Sequence, residues 1–401
     1  MLIFYIVSFF TLTVLVVQKQ FFTLYFLYTL IWTISVLLLP FFSFVLRHNI
    51  SEDIAYFLNF HSIFGLIVYF VFGFLKKEHK IEERQKMKKL YLKWVRRVIR
   101  ISFCLTLFFA INILSRYSNL LINNPWVLRE MYFNGDVMLF PSISYTIIFL
   151  YMSAFLGSSV LYFREDLGRK IYYLPIISSV IFAVVYLGRN EFVKIALIYF
   201  IAILLKNRKI FFLKSFKKIF VIILIVVGVS SILKKGNHIS GGNNVIHNTL
   251  LNVGSYGSGS LLVFDMFTQR NNGDIELGYG EYTFYPVFRR LASIGFYKEN
   301  FNLSYVDDYE SFINTFTYLR PFYSDFGWFG VYILSSFFLM IIIYFTQIDS
   351  KPKSVKKYLL FISLYPAVLF SIQGLEYQTM EYFTAIALAL LLNFVFKFKF
   401  S

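Results

Sequence analysis

The sequence predicts an all-α polytopic membrane protein of about 11 transmembrane helices, with one long hydrophilic segment between two of them. Three observations carry this. Of 401 residues, 58% are hydrophobic and only 15% charged, against about 25% charged in a soluble domain. The apolar residues fall in blocks close to the roughly 20 residues that a helix needs to cross a bilayer. The basic residues behind the net charge of +17 sit in short connectors between those blocks, as expected beside anionic headgroups. This pattern excludes a single soluble enzyme domain and argues against a nucleic-acid partner.

In chain order the apolar runs are 2–17, 21–46, 54–75, 95–114, 141–163, 171–187, 191–205, 217–233, 327–346, 358–373 and 381–397. The first lacks a preceding basic stretch and a small-residue cleavage site, so it reads as a span and not as a removable signal. Cys104, the single cysteine, lies in the fourth run, which leaves no disulfide and no cysteine-rich metal site. The runs 171–187 and 191–205 are short, with only Gly188-Arg189-Asn190 between them. They read as a tight helical hairpin or as a re-entrant pair buried in protein. The chain then divides into 1–233 (N-terminal membrane helices, about eight spans), 234–326 (the long segment) and 327–401 (about three spans).

Loop charge sets the orientation. The connectors at Lys19, 76–93, 164–170, 206–218 and 351–357, with the C-terminal tail, carry 24 Lys and Arg; the opposite loops carry 11. The positive-inside rule puts the 24 in the cytoplasm. The N-terminus and the segment 234–326 then face outward, and the C-terminus faces the cytoplasm.

That segment holds half of the chain's 20 glycines, His238 and His247, and many Tyr and Phe residues. Its aromatic content argues against disorder, and loops of this length are commonly functional. Residues 245–263 and 286–294 read as short amphipathic helices able to lie on the membrane surface and cover a cavity.

No Walker loop, dinucleotide fingerprint, H-E-x-x-H or nucleophile elbow is present. The cluster Gly254-Ser-Tyr-Gly-Ser-Gly259 is only a loose phosphate nest. Arg189, at the end of an apolar hairpin, either pairs with Glu191 or a headgroup, or offers a guanidinium fork to an anionic lipid-linked substrate. Arg289-Arg290 and Arg320 add cations that bind headgroups or, converging, a diphosphate. His247 is an ordinary polar histidine or a general base. Asp325 either caps the following helix or acts as a carboxylate on a sugar hydroxyl. Asp307-Asp308 lacks the further ligands a metal needs.

A half of short-looped spans, the Gly188-Arg189 turn, one long outer segment, then Asn314-Thr315-Phe316-Thr317-Tyr318-Leu319-Arg320 leading to Tyr323-Ser324-Asp325-Phe326-Gly327-Trp328-Phe329-Gly330 resembles the Wzy-type O-antigen polymerases. The likeness in architecture covers nearly the whole chain, and its motifs are confined to 187–191 and 314–330. It implies a GT-C-like membrane glycosyltransferase of the bacterial inner membrane. Its active site would face the periplasm and join undecaprenyl-diphosphate-linked repeat units into surface polysaccharide. It implies no cofactor, no nucleotide sugar and no metal, and as partners the lipid-linked donor and acceptor, membrane lipids, a chain-length regulator and a flippase. The diphosphate-binding role falls on Arg189, Arg289, Arg290 and Arg320, and the catalytic role on His247 or Asp325. The repeated Arg-rich loop motifs of some members are missing, so a two-loop scheme does not carry over. The rival readings are an O-antigen ligase, a lipid-linked oligosaccharide transporter and a non-catalytic assembly subunit.

Overall fold

A computed structural model describes residues 1–20, 23–46, 49–75, 87, 89–124, 127–128, 131, 143–163, 167, 169–186, 189–206, 258–270, 277–296, 317–348, 352–372 and 379–398. Among these residues there is no strand, and the helices are α1 (Leu2–Val17), α2 (Leu24–Leu46), α3 (Glu52–Leu75), α4 (Lys89–Asn123), α5 (Ile143–Tyr162), α6 (Arg169–Tyr186), α7 (Arg189–Lys206), α8 (Ser260–Arg270), α9 (Tyr285–Ser293), α10 (Leu319–Gln347), α11 (Val355–Leu369) and α12 (Met380–Phe398). The protein is an all-α membrane protein: α3, α4, α5 and α10 are long and apolar enough to cross a bilayer, and α1, α2, α6 and α12 contain shorter apolar helices. The expected run 217–233 lies outside the described residues. α4 extends beyond the expected 95–114 at both ends, taking in residues 89–94 and 115–123, with a kink at Tyr117.

The chain forms two compact units. Unit 2 comprises 81–242, 351–366 and 381–401. Its centre is α5, buried along most of its length. Small residues let its neighbours approach, the usual device where lipid supplies no hydrophobic drive between helices. Tyr162 stacks on Tyr358 at 4.6 Å, and the Tyr382 hydroxyl donates to the Ser363 carbonyl. α6 and α7 share a cluster of Ala183, Phe192 and Ala196.

Unit 1 comprises 1–80, 243–350 and 367–380. Here α1 packs on α2 and α3, and α10 packs on α3 and α2. Polar side chains tie the helix ends. The Phe4 N–H donates to Asn59 Oδ1 at 2.9 Å, the Tyr25 N–H to Thr346 Oγ1 at 3.1 Å, and the Tyr69 hydroxyl to Gln18. Ser51 caps α3, its Oγ accepting from the Ile54 N–H.

The ninth run departs most from expectation. The run 327–346 predicts a span, but the helix begins at Leu319 and breaks at Gly327, whose φ of 61° and ψ of −154° only glycine adopts freely. The break is a reversal. A Cβ built on Gly330 would stand 2.4 Å from the Phe322 carbonyl oxygen, whereas residues eight apart in a straight helix are separated by about 12 Å. Tyr318 and Phe338 confirm it, their rings 5.4 Å apart. Residues 319–326 therefore form a short arm folded against 328–347, a stretch about 30 Å long that matches the hydrocarbon thickness.

Two stretches expected in a hydrophilic outer segment consequently lie among the membrane helices. Ser258, just before α8, donates its hydroxyl to the carbonyl of Ser35 in the middle of α2 at 2.7 Å. Tyr318, at the start of the short arm, packs edge-on against Trp32 of α2 at 5.7 Å. The helix expected within 245–263 runs instead from Ser260 to Arg270; residues 245–257 lie outside the described residues.

Candidate functional site

The tip of the α10 hairpin joins a carboxylate, Asp325, to the turn 278–283. Asp325, two residues before the reversal, has no exposed surface. Its Oδ1 accepts the Tyr282 N–H at 3.0 Å and its Oδ2 the Thr283 N–H at 2.6 Å. The backbone adds two bonds, Gly278 N–H to the Ser324 carbonyl and Tyr279 N–H to the Asp325 carbonyl. Buried backbone donors must be satisfied, and one carboxylate satisfies two that the turn 278–283 leaves open. Asp325 thus caps a turn distant in sequence, not the helix that follows it.

Glu281 and Tyr282 sit in that turn. Burial, then the charge of Asp325, raises the Glu281 carboxyl above the ordinary range. Burial also raises the Tyr282 phenol, as do Asp325 and Glu281, while Arg320 acts the other way. Arg320 lies on the short arm, with its guanidinium 4.9 Å from the centre of the Phe267 ring, a cation–π contact. Tyr282 therefore feels Asp325, Glu281 and Arg320, and Glu281 feels Asp325. Phe264 and Phe267 of α8 meet Tyr323 edge-on, and Trp328 packs on Phe264 and Tyr323. α8 is fixed by Asp265, which accepts the Ser51 N–H at 2.9 Å and the Ser51 hydroxyl at the start of α3.

A second polar cluster lies at the other end of the short arm. The Tyr28 hydroxyl hydrogen-bonds both His61 Nε2, at 2.7 Å, and the Tyr318 hydroxyl, at 2.8 Å. The Trp32 indole donates to Ser371 Oγ, and the Tyr318 N–H to the Ser371 carbonyl. His61 Nδ1 meets no partner among the described residues. His61 borders a mainly apolar cavity of about 30 Å³, lined by Phe4, Trp32, Leu58 and Leu339 together with Ser8, Thr11 and Thr29.

Of the residues singled out from the sequence, Asp325 lies at the hairpin tip and Arg320 near the start of the short arm, and both act electrostatically on Tyr282. Arg290 is exposed on α9, which begins two residues after the latched turn. Arg289 is on the same helix and Arg189 opens α7 in unit 2; their side chains, and His247, His238 and Asp307-Asp308, lie outside the described residues. Glu281, Tyr282 and His61 escaped the sequence reading. His61 had a signal, since an ionisable residue inside a span is a functional candidate by default; Glu281 had none, because only the fold brings it to Asp325. Among the described residues no group of three or more His, Cys, Asp or Glu could hold a metal. The chain matches no family model, no curated protein and no solved structure.

Proposed function

We propose that the protein is a membrane glycosyltransferase that polymerises undecaprenyl-diphosphate-linked oligosaccharide repeat units into a surface polysaccharide. In this reading it has about 11 spans, a GT-C-like architecture, its N-terminus outside and its C-terminus in the cytoplasm. It works at the outer face of the bacterial inner membrane. One observation carries the reading: the stretch on which the resemblance rests holds Asp325, at the tip of a helix arm of membrane length, and Arg320, both acting on Tyr282 of the latched turn.

The chemistry is an inverting displacement. An acceptor sugar hydroxyl attacks the anomeric carbon of the donor while the bond to undecaprenyl diphosphate breaks. The leaving diphosphate gains charge, and preorganised arginines stabilise it; Arg320, Arg189, Arg289 and Arg290 are assigned this role. The hydroxyl proton passes to a base. Asp325 has both oxygens engaged by backbone N–H groups and is assigned a positioning role. Glu281, partly exposed and with its carboxyl raised by burial and by Asp325, is assigned as the base, with His247 as the alternative. The aromatic residues around Tyr323 and Trp328 supply faces on which sugars stack.

The test is made in the host. Deleting the gene should shorten the surface glycan to a single repeat. The wild-type gene should restore long chains, and Arg189→Ala or Arg320→Ala, expressed at equal levels in the membrane, should not. Unchanged glycan length on deletion would refute the proposal. A transporter remains the second reading, favoured by the broken helix α10 and the His61 cluster, features that mark transport pathways. Loss of repeat-unit translocation in the deletion strain would support it.

A further inference from the structure

We propose that α9 is an in-plane membrane anchor whose Val287–Leu291–Ile294 stripe inserts at the headgroup boundary of an anionic bilayer. The inference gives Arg289 and Arg290 a lipid-headgroup contact in addition to the diphosphate role above, and it rests on depth, pattern and charge.

Depth is set by the hairpin. The arm 328–347 has the length of the hydrocarbon layer, so Gly327 marks a membrane boundary. Asp325, beside that reversal, holds the N–H groups of Tyr282 and Thr283. α9 starts at Tyr285, and two residues of chain reach about 7 Å at most. The helix is therefore moored at the boundary and can neither cross the bilayer nor stand far from it.

Pattern gives the inserted face. Val287, Leu291 and Ile294 follow helical spacing and are 42%, 37% and 58% exposed. Phe284 at the head of the helix and Phe296 beyond its end extend the stripe, the latter 82% exposed. The lipid-facing side of α10 begins at the same level, with Phe329, Ile333 and Phe337 all exposed at four-residue spacing. An exposed apolar stripe moored at the level where a membrane-length helix begins its own exposed apolar face meets the same lipid boundary.

Charge supplies the rest. Arg290 is exposed at the edge of the stripe and Arg289 precedes it. A short helix with one apolar face and arginines beside it is the pattern of interfacial anchors, whose binding combines apolar burial with attraction to anionic lipid.

The experiment uses the full-length protein with Cys104→Ser, carrying one nitroxide at Val287, Arg290, Leu291, Ile294 or Phe329, the last as lipid reference. Samples in nanodiscs of mixed phosphatidylglycerol and phosphatidylethanolamine are compared by power saturation with oxygen and with a water-soluble nickel chelate. Labels at 287, 291 and 294 should be reached severalfold better by oxygen, as at 329, and the label at 290 by nickel. Nickel access at all four α9 sites would overturn the proposal by showing a water-facing helix. Shielding from both agents at 287, 291 and 294 would also overturn it, by showing that protein covers the stripe. In phosphatidylcholine nanodiscs the labels should sit shallower; an unchanged depth would overturn the anionic preference. Thermal unfolding of each labelled protein shows that the label has left the fold intact.

Discussion

Replacing Asp325 with Asn tests the link between hairpin tip and turn. The carboxylate receives two N–H groups, one on each oxygen. An amide keeps one acceptor and turns an NH2 against the second donor. One bond to a charged group, worth about 1.5–3 kcal/mol, is lost, and a part-buried N–H is left unsatisfied at about 1–3 kcal/mol. Because the turn relaxes toward water, the two costs overlap, and a net loss of about 2–4 kcal/mol is expected, or roughly 30- to 1,000-fold in the opening equilibrium. Hydrogen–deuterium exchange across residues 277–288, in nanodiscs, reads this directly. The amides of Tyr282 and Thr283 should exchange faster by that factor in Asp325→Asn. Asp265→Asn, which disturbs the separate bonds to Ser51, should leave them protected and expose the start of α3 instead. Equal protection at Tyr282 and Thr283 in wild type and Asp325→Asn, with the fold intact, would refute the latch.

Three further outcomes follow from the same geometry. Gly330→Ala places a methyl 2.4 Å from a backbone carbonyl; overpacking of this kind costs about 1–3 kcal/mol, so the unfolding temperature in detergent should fall by several degrees, and an unchanged value would contradict the reversal. Tyr28→Phe should lower the unfolding temperature, because the Tyr28 hydroxyl bonds both His61 and Tyr318 in a buried site; a thermal scan decides it, and an unchanged value would count against the shared bond. Glu281 has a folded-state pKa raised by burial and by Asp325. The native state then holds the proton more tightly, so stability is lost as pH climbs from the ordinary carboxyl range through the raised value. Unfolding temperatures measured from about pH 4 to about pH 8 should show that decline in wild type and not in Glu281→Gln.

Much of the fold was legible because lipid exerts one simple demand, apolar length, and hydropathy reads it. Helices α3, α4 and α5 stand where runs of suitable length predicted them. The reversal in α10 was hidden for the same reason. Trp328, Phe329 and the residues after them satisfy hydropathy in either geometry, and a glycine at 327 costs a straight helix only about 1 kcal/mol. The Gly327-x-x-Gly330 pair was the available sign, one glycine for the positive φ and one for the close approach. Asp325 and Arg320 stood out in sequence as charges near a span, yet their partners are more than 40 residues away along the chain in both bonds that Asp325 accepts. Periodicity does not carry such pairings, so Glu281 and the latched turn could be found only from the fold.

The measurement that tests the central claim most directly is a glycan ladder. The purified protein in nanodiscs is given its host's undecaprenyl-diphosphate repeat unit, with neither nucleotide sugar nor metal added, and the products are resolved by size. Successive multiples of the repeat unit on lipid diphosphate, with undecaprenyl diphosphate released and the ladder lost in Arg189→Ala, are the result the account predicts. A folded wild-type protein that leaves intact substrate as single units would contradict it.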